Sequence, residues 1–357
     1  MLLLYQCGWR WRELKRFKSL APLGLFFTVV TLSLLPDFYQ AGDYRYFLFG
    51  CAHTVMVFDV FSAAPQRRWL APLLGLLPMI LALRGVLENP AILNFSLTQR
   101  LGYPLDHANT AGYLFAMSLP LCIVIAAAKT GWWRRLAWAS CAIQIAGLVL
   151  TYSRGAWLGS FASIVYLTIA LKRWRLLGIF ILVPAVCAVV FPALEDRFAS
   201  VTHPRDDLAI RERWQRLTGA AQLGLDHPIL GVGYGRGRLK ESLPVYLEGT
   251  ILEGAPVLHT HNVYVELFAE TGAIGLMAFL WLIGQALARL WRSSLARAGA
   301  VRLLGVGLAG AWIAAVVAGI GDVPFYHHET RIYFFTLIAL AHLYCADPGI
   351  EPASPGD

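Results

Sequence analysis

A histidine and two glutamates stand at the start of a long apolar segment. His261 precedes the segment, and Glu266 and Glu270 follow at a spacing that places both carboxylates on one helix face. Ionisable side chains at a membrane boundary are costly, so they are candidates for function. The pattern predicts His261 as a general base, because imidazole suits proton abstraction near neutral pH. The opposing interpretation makes His261 a structural cap and the two carboxylates a buried packing network.

Four arginines are candidates for binding an anion. A helix is predicted over residues 207–225, with Arg211 and Arg213 on either flank of an apolar stripe and Arg216 further from it. Such a helix is either interfacial, with snorkelling arginines, or a clamp for a lipid-linked phosphate. Arg154, where two predicted spans meet, is either a turn residue or a second cation for the same cavity. The stripe consists of Ile210, Trp214, Leu217, Ala221 and Leu225.

A metal site is the competing use of the histidines. His259, His261, the pair His327-His328 and Asp322 are zinc-type ligands. They come from separated loops, no cysteine joins them, and no His-Glu-x-x-His sequence occurs. We therefore predict no metal and no other cofactor.

The composition is that of a membrane protein. Of the 357 residues, 57% are hydrophobic and only 15% are charged, against about 25% charged in a soluble domain. The net charge of +8 comes from basic residues spread among many short segments, which is typical of topology signals. The sequence predicts an all-α, polytopic protein in the lipid bilayer, with no nucleic-acid partner.

About ten apolar spans are predicted, and residues 1–357 form a single membrane domain. The loops on one side hold 17 of the 30 lysines and arginines, which makes that side and both termini cytoplasmic. The long loop 195–262, between predicted helices 7 and 8, faces the opposite side and contains the arginine-bearing helix. The opposite short loops hold only Arg45, Arg84, Arg100, Arg154 and Arg331. The predicted spans are 20–35, 46–61, 69–83, 110–128, 136–152, 156–171, 176–194, 263–290, 303–320 and 332–345.

Several motifs together resemble the O-antigen ligase and polymerase superfamily. His261-Asn262, followed after nine residues by Gly272-x-x-Gly275, resembles the ligase motif His-(Asn/Ser/Gln)-x9-Gly-x-x-Gly. Segments 106–112, 152–157 and 227–233 also fit the superfamily in order and spacing. The resemblance covers most of the chain from about residue 70 onward.

The resemblance implies a metal-independent membrane glycosyltransferase of the C-type class, acting at the periplasmic face of the bacterial inner membrane. It implies a glycan on undecaprenyl pyrophosphate as donor and a sugar hydroxyl of lipid A core as acceptor. By motif position, His261 matches the base and Arg154 a pyrophosphate-binding arginine. For the loop arginine, the spacing to segment 227–233 favours Arg213, with Arg211 and Arg216 as alternatives. The expected supporting residues are Asn262, Glu266 and Glu270.

Other functions fit part of the pattern. An O-antigen or exopolysaccharide polymerase and a protein O-glycosyltransferase belong to the same superfamily, and the nine-residue spacing favours the ligase. A transporter or flippase is the alternative of another class. Transporters tend to have inverted repeats and midplane charges. Here the ionisable residues gather at one face and no repeat is visible, which favours an enzyme.

Overall fold

The computed structural model describes residues 20–34, 42–62, 69–94, 99–105, 107–190, 208–256 and 259–346. Its secondary structure is helical, and no strand occurs within these ranges. Each predicted span coincides with a helix. In chain order these are α1 (Ala21–Ser33), α2 (Gly42–Ser62), α3 (Leu70–Glu88), α4 (Ala108–Ala128), α5 (Gly131–Leu150), α6 (Arg154–Leu171), α7 (Arg175–Val190), α10 (Val263–Leu295), α11 (Gly299–Ala318) and α12 (His328–Ala346).

Five of these helices are long and apolar enough to cross a membrane, namely α3, α4, α6, α10 and α11. Helix α1 is apolar but shorter. The assignment of the other helices as spans stays a prediction, as does the side of the membrane that each loop faces. The basic cluster at residues 10–18, Arg67-Arg68, Asp106 and the first part of the long loop lie outside the described residues.

Helix α4 lies at the centre of the bundle. It is apolar on all faces, and its residues are buried continuously from Ala108 to Ala126. Helices α3, α5, α6 and α11 surround it. Helix α11 also packs closely on α6, because a side chain at Gly159 would lie only 2.6 Å from the carbonyl oxygen of Ala314.

Helix α10 is interrupted at Gly272, whose φ of 65° and ψ of −169° are not helical. An interruption leaves backbone groups that need new partners. The amide of Ala273 donates to the carbonyl of Pro228 at 2.8 Å. Segment 227–233 of the long loop therefore occupies the break.

The glycine-rich part of that segment completes the junction. The amides of Val232 and Gly233 donate, both at 2.9 Å, to the carbonyls of Ala269 and Glu270 in the last turn before the break. Gly231 has a φ of 67°, and a side chain there would lie 2.3 Å from the carbonyl carbon of Glu270. The loop is thus held on α10 by backbone hydrogen bonds that require glycine at the closest approach.

The predicted arginine-bearing helix is present as α8 (Leu208–Asp226), and α9 (Arg236–Ser242) follows it. The packing of α8 differs from the expectation drawn from its apolar stripe. Trp214 and Leu225 of that stripe are 64% and 68% exposed. The buried face instead carries Ala220 and Leu223, which pack with residues 239–252 and with α10. Leu223 shares this face with Gly219, Ala220 and Gly224, small residues that give little hydrophobic signal in a sequence, so the face was not predicted.

The junction at the break gives a first testable prediction. At Gly272 a side chain would lie 2.2 Å from the carbonyl oxygen of Ile229, and the positive φ adds strain. We expect Gly272→Ala to lower the stability by about 2 kcal/mol or more, measured as thermal unfolding of the detergent-solubilised protein. Gly284→Ala in the same helix is the control, because nothing lies within 4 Å of its added Cβ. Equal stability of the two variants would contradict the account of the junction.

Candidate functional site

The site is built around the carboxylate of Asp322, in the turn that follows α11. This residue is only 1% exposed. Its Oδ1 lies 3.2 Å from Nδ1 of His261 and accepts the backbone amide of Val323 at 2.9 Å. Its Oδ2 accepts Nδ2 of Asn109, at the start of α4, at 2.6 Å. One buried carboxylate therefore joins three separate parts of the chain.

Arg100 holds Asn109 in the orientation that this arrangement requires. Nη2 of Arg100 donates to Oδ1 of Asn109 at 2.8 Å, and Nε donates to the carbonyl of Thr151 at 2.8 Å. The amide of Asn109 is thereby oriented so that its NH2 group faces Asp322. A continuous chain of hydrogen bonds runs from Arg100 to His261.

The surroundings keep Asp322 ionised. Burial raises the pKa of its carboxyl, but the hydrogen bond and charge of His261, together with the charges of His259 and Arg213, lower it by more in total. The net effect holds the pKa of Asp322 well below its usual range. An ionised carboxylate is the acceptor that fixes the Nδ1 proton on a neighbouring imidazole.

His261 is held in an uncommon backbone conformation. Its φ is 58°, a region that costs an L-residue roughly 1–2 kcal/mol, although histidine is among the residues found there. Its side chain is 17% exposed, so it is accessible beside a buried partner. With Nδ1 turned to Asp322, Nε2 is the ring nitrogen available for proton exchange.

The residues after His261 fix it to α10 and α11. Asn262 caps α10, because its Oδ1 accepts the amides of Tyr264 and Val265 at 3.0 and 3.1 Å. Its Nδ2 donates to the carbonyl of Ile320 at 3.1 Å, two residues before Asp322. The residue that caps α10 is therefore Asn262 and not His261. The imidazole of His261 instead contacts the carboxylate of Asp322.

The two glutamates are fully buried and serve different parts of the structure. Oε2 of Glu266 accepts the amide and the hydroxyl of Thr260 at 2.6 and 2.9 Å, which ties down the residue before His261. Glu270 accepts a hydrogen bond from the hydroxyl of Tyr326. Burial, followed by the charge of Glu270, raises the pKa of Tyr326, so this hydroxyl remains a donor. Glu266 thus positions the segment before His261, Glu270 positions the side chain of Tyr326, and Asp322 contacts the imidazole.

The structure distinguishes the four candidate arginines. Arg154 is the first residue of α6 and is partly buried. The next residue, Gly155, packs on Gly321 so tightly that a Cβ on Gly321 would lie 3.1 Å from its Cα. The start of α6 is therefore adjacent to the Asp322 turn. Arg154 is thus the sequence neighbour of a residue that contacts the Asp322 turn.

The loop arginines differ in their surroundings. Arg213 is partly buried, and its charge contributes to lowering the pKa of Asp322. Its charge also reaches His107, whose pKa is lowered first by burial and then by Arg100, with Arg213 a smaller cause. Arg216 lies 4.0 Å from Glu212 and its side chain is 15% exposed, whereas Arg211 is exposed. Arg213 is thus the loop arginine whose positive charge helps to lower the pKa of Asp322.

Three of the residues considered as zinc ligands do come together. One donor atom each from His259, His261 and Asp322 lies within 4.8 Å of the other two, so this group could hold a metal ion. The ring of His327 is 6.4 Å from that of His259, centroid to centroid. His328 lies instead against the ring of Tyr46 at 4.2 Å. Two members of this group, His261 and Asp322, already contact each other. The expectation of no metal stays a prediction.

Three residues of the site were not predicted as such. The sequence indicates Asp322 only as a metal ligand, Arg100 only as a topology signal, and Asn109 only as part of a motif segment. A signal for Asp322 exists, because it is the one carboxylate in the sequence between Glu270 and Glu329. An isolated acid between long apolar segments is itself a candidate for function.

The apolar helices identify a multi-pass membrane protein, and comparison with known proteins indicates its class. Residues 139–280 match the family model described as O-antigen ligase, a segment that contains Arg154, Arg213, His261 and Gly272. The match confirms the resemblance to the O-antigen ligase-like superfamily and indicates an enzyme of the membrane glycosyltransferase type.

Two further comparisons complete this result. No curated protein matches the chain. A solved structure titled "Structural coordination of polymerization and crosslinking by a peptidoglycan synthase complex" is 18% identical, with a TM-score of 0.47 over 91% of this chain and 96% of that chain.

The state of Asp322 gives a pH prediction. Because its pKa is lower in the folded than in the unfolded protein, its stabilising effect is present above the unfolded value of about 3.9 and is lost as the pH falls below it. We expect the unfolding temperature in detergent to fall more steeply on acidification from about pH 5 to 3 in the wild type than in Asp322→Asn. Glu241→Gln, at an exposed position of α9, should keep the wild-type profile. Parallel profiles for all three proteins would show that folding does not lower the pKa of Asp322.

Proposed function

We propose that this protein transfers a glycan from undecaprenyl pyrophosphate to a sugar hydroxyl of lipid A core, at the periplasmic face of the bacterial inner membrane. The observation that carries the proposal is the accessible imidazole of His261 held by buried Asp322, adjacent to the arginines of a segment that matches the O-antigen ligase family model. The acceptor and the membrane face rest on the motif spacing and on the distribution of basic residues.

The reaction requires few groups from the protein. The acceptor oxygen forms a bond to the anomeric carbon, and the bond from that carbon to the pyrophosphate oxygen breaks. The pyrophosphate leaves with the bonding electrons, so it needs cations and no general acid. The acceptor proton needs one base. The transfer as written needs neither a metal nor another cofactor.

His261 and Asp322 supply the base. Nε2 of His261 takes the proton from the attacking hydroxyl, and Asp322 holds the tautomer in which Nε2 is unprotonated beforehand. After the transfer, the carboxylate stabilises the imidazolium that has formed. Asn109 and Arg100 keep the carboxylate in place.

Arg213 and Arg154 stabilise the leaving group in this proposal. A bidentate guanidinium suits pyrophosphate oxygens, and each charge-assisted hydrogen bond contributes roughly 1.5–3 kcal/mol. Arg213 is favoured among the loop arginines because its positive charge helps to lower the pKa of Asp322. Arg216 is close to Glu212, which reduces its availability.

Reconstitution tests the function. The protein is placed in vesicles with undecaprenyl-pyrophosphate glycan, lipid A core and a chelator, and the glycan on lipid A core is measured. We expect His261→Ala to lose transfer by roughly 10²–10⁴-fold while remaining folded. The control is His328→Ala, an exposed histidine against Tyr46, which should retain activity.

Two outcomes would change the assignment. Transfer by His261→Ala at the wild-type rate would remove this residue as the base. Lengthening of the lipid-linked glycan without use of lipid A core would establish a polymerase instead.

The roles of the loop arginines are separable by substitution. We expect Arg213→Ala to weaken donor binding by about 10- to 100-fold, because one charge-assisted contact to pyrophosphate is lost. Arg216→Ala should have a smaller effect, since that side chain is close to Glu212. The measurement is the dissociation constant of the lipid-linked donor in nanodiscs. The reverse order would assign the primary contact to Arg216.

A further inference from the structure

A basic cavity lies at the opposite end of the bundle from the His261 site, on the side predicted to be cytoplasmic. It has a volume of about 340 Å³ and lies between the end of α4, the end of α6 and the start of α11. Three cations line it, namely Lys172, Arg173 and Arg302. Apolar residues, including Ala127 and Leu303, form the remaining wall.

Within the part of the chain that the structure describes, no carboxylate compensates the positive charge of this cavity. The sequence contains no aspartate or glutamate from residue 107 to 190, or from 271 to 321, which are the segments that form α4–α7 and α11. Among the described residues, no carboxylate pairs with Lys172, Arg173 or Arg302. An anion would therefore be attracted to the cavity without displacing an existing ion pair.

Two of the cations are placed by the end of α6. Lys172 has a left-handed φ of 53°, and the amide of Arg173 donates to the carbonyl of Thr168 at 3.0 Å. The guanidinium of Arg302 approaches the same helix, with Nη2 3.4 Å from the carbonyl of Ala170. The three side chains thus meet at the seam between α6 and α11.

A second, apolar groove lies between α6, α10 and α11, further along the same seam. Its volume is about 430 Å³, and Arg292, near the end of α10, is one of the residues that line it. Arg302 shares a face of α11 with Ala309 and Ile313, which line the groove. The distance from Arg302 to Ile313 along the helix is roughly 16 Å. The groove walls are completed by Tyr166, Leu287, Ala288 and Trp291.

We propose that this seam is a binding site for an anionic phospholipid. The phosphate of the headgroup binds Lys172, Arg173 and Arg302, and an acyl chain follows the groove past Ala309. The order of a basic cavity and then an apolar groove, from the membrane surface inwards, fits a lipid better than a free phosphate. This site is separate from the proposed transfer chemistry, so either proposal can fail alone.

Native mass spectrometry of the whole protein tests the site. The protein is purified in detergent and offered phosphatidylglycerol, phosphatidylcholine or inorganic phosphate. We expect selective retention of phosphatidylglycerol by the wild type. Arg173→Gln/Arg302→Gln should lower that retention by roughly tenfold or more. Arg134→Gln/Arg135→Gln, which removes two exposed charges near the start of α5, should keep it.

A second variant tests the groove independently of charge. Ala288→Phe places a ring in the groove from an exposed position of α10, and Met277→Phe places one elsewhere on the same helix. We expect only Ala288→Phe to reduce phosphatidylglycerol binding. Equal loss in both double arginine variants, equal retention of the two lipids, or retention of inorganic phosphate in place of phosphatidylglycerol would each overturn the proposal.

Discussion

Asp322 is the residue on which the rest of the site depends. A carboxylate that is 1% exposed is costly unless it is charge-compensated and hydrogen-bonded. Its partners come from the start of α4, from the loop before α10 and from its own turn. Satisfying this one group therefore brings together segments that are far apart in the sequence. It also places the accessible imidazole of His261 beside a fixed negative charge.

The break in α10 provides the second constraint. Gly272 interrupts the helix, and segment 227–233 supplies the hydrogen-bonding partners on both sides of the break. The long loop is thereby anchored to the same helix whose first residues follow His261. This explains why the motif around His261 ends in glycine, and why the glycine-rich segment of the loop accompanies it. Both motifs build the scaffold that holds α8, with Arg213, near the site.

The sequence predicted the ten helices outside the long loop well, because each is marked by an apolar run. Helix α8 was predicted by its spacing, but its buried face was not, because Leu223 shares that face with Gly219, Ala220 and Gly224, which give little hydrophobic signal. The contact between His261 and Asp322 could not be read from the sequence, because it joins residues 61 positions apart. Glu266 and Glu270 were ambiguous for the same reason, since only the fold shows that they bind Thr260 and Tyr326.

In the proposed mechanism, His261 and Asp322 act as one unit in proton transfer. A double-mutant cycle on the transfer rate measures this most directly, with His261→Ala, Asp322→Asn and the double variant assayed beside the wild type. We expect Asp322→Asn to slow transfer when His261 is present and to have no further effect once His261 is replaced. Additive losses would contradict it, because they would mean that Asp322 acts without His261.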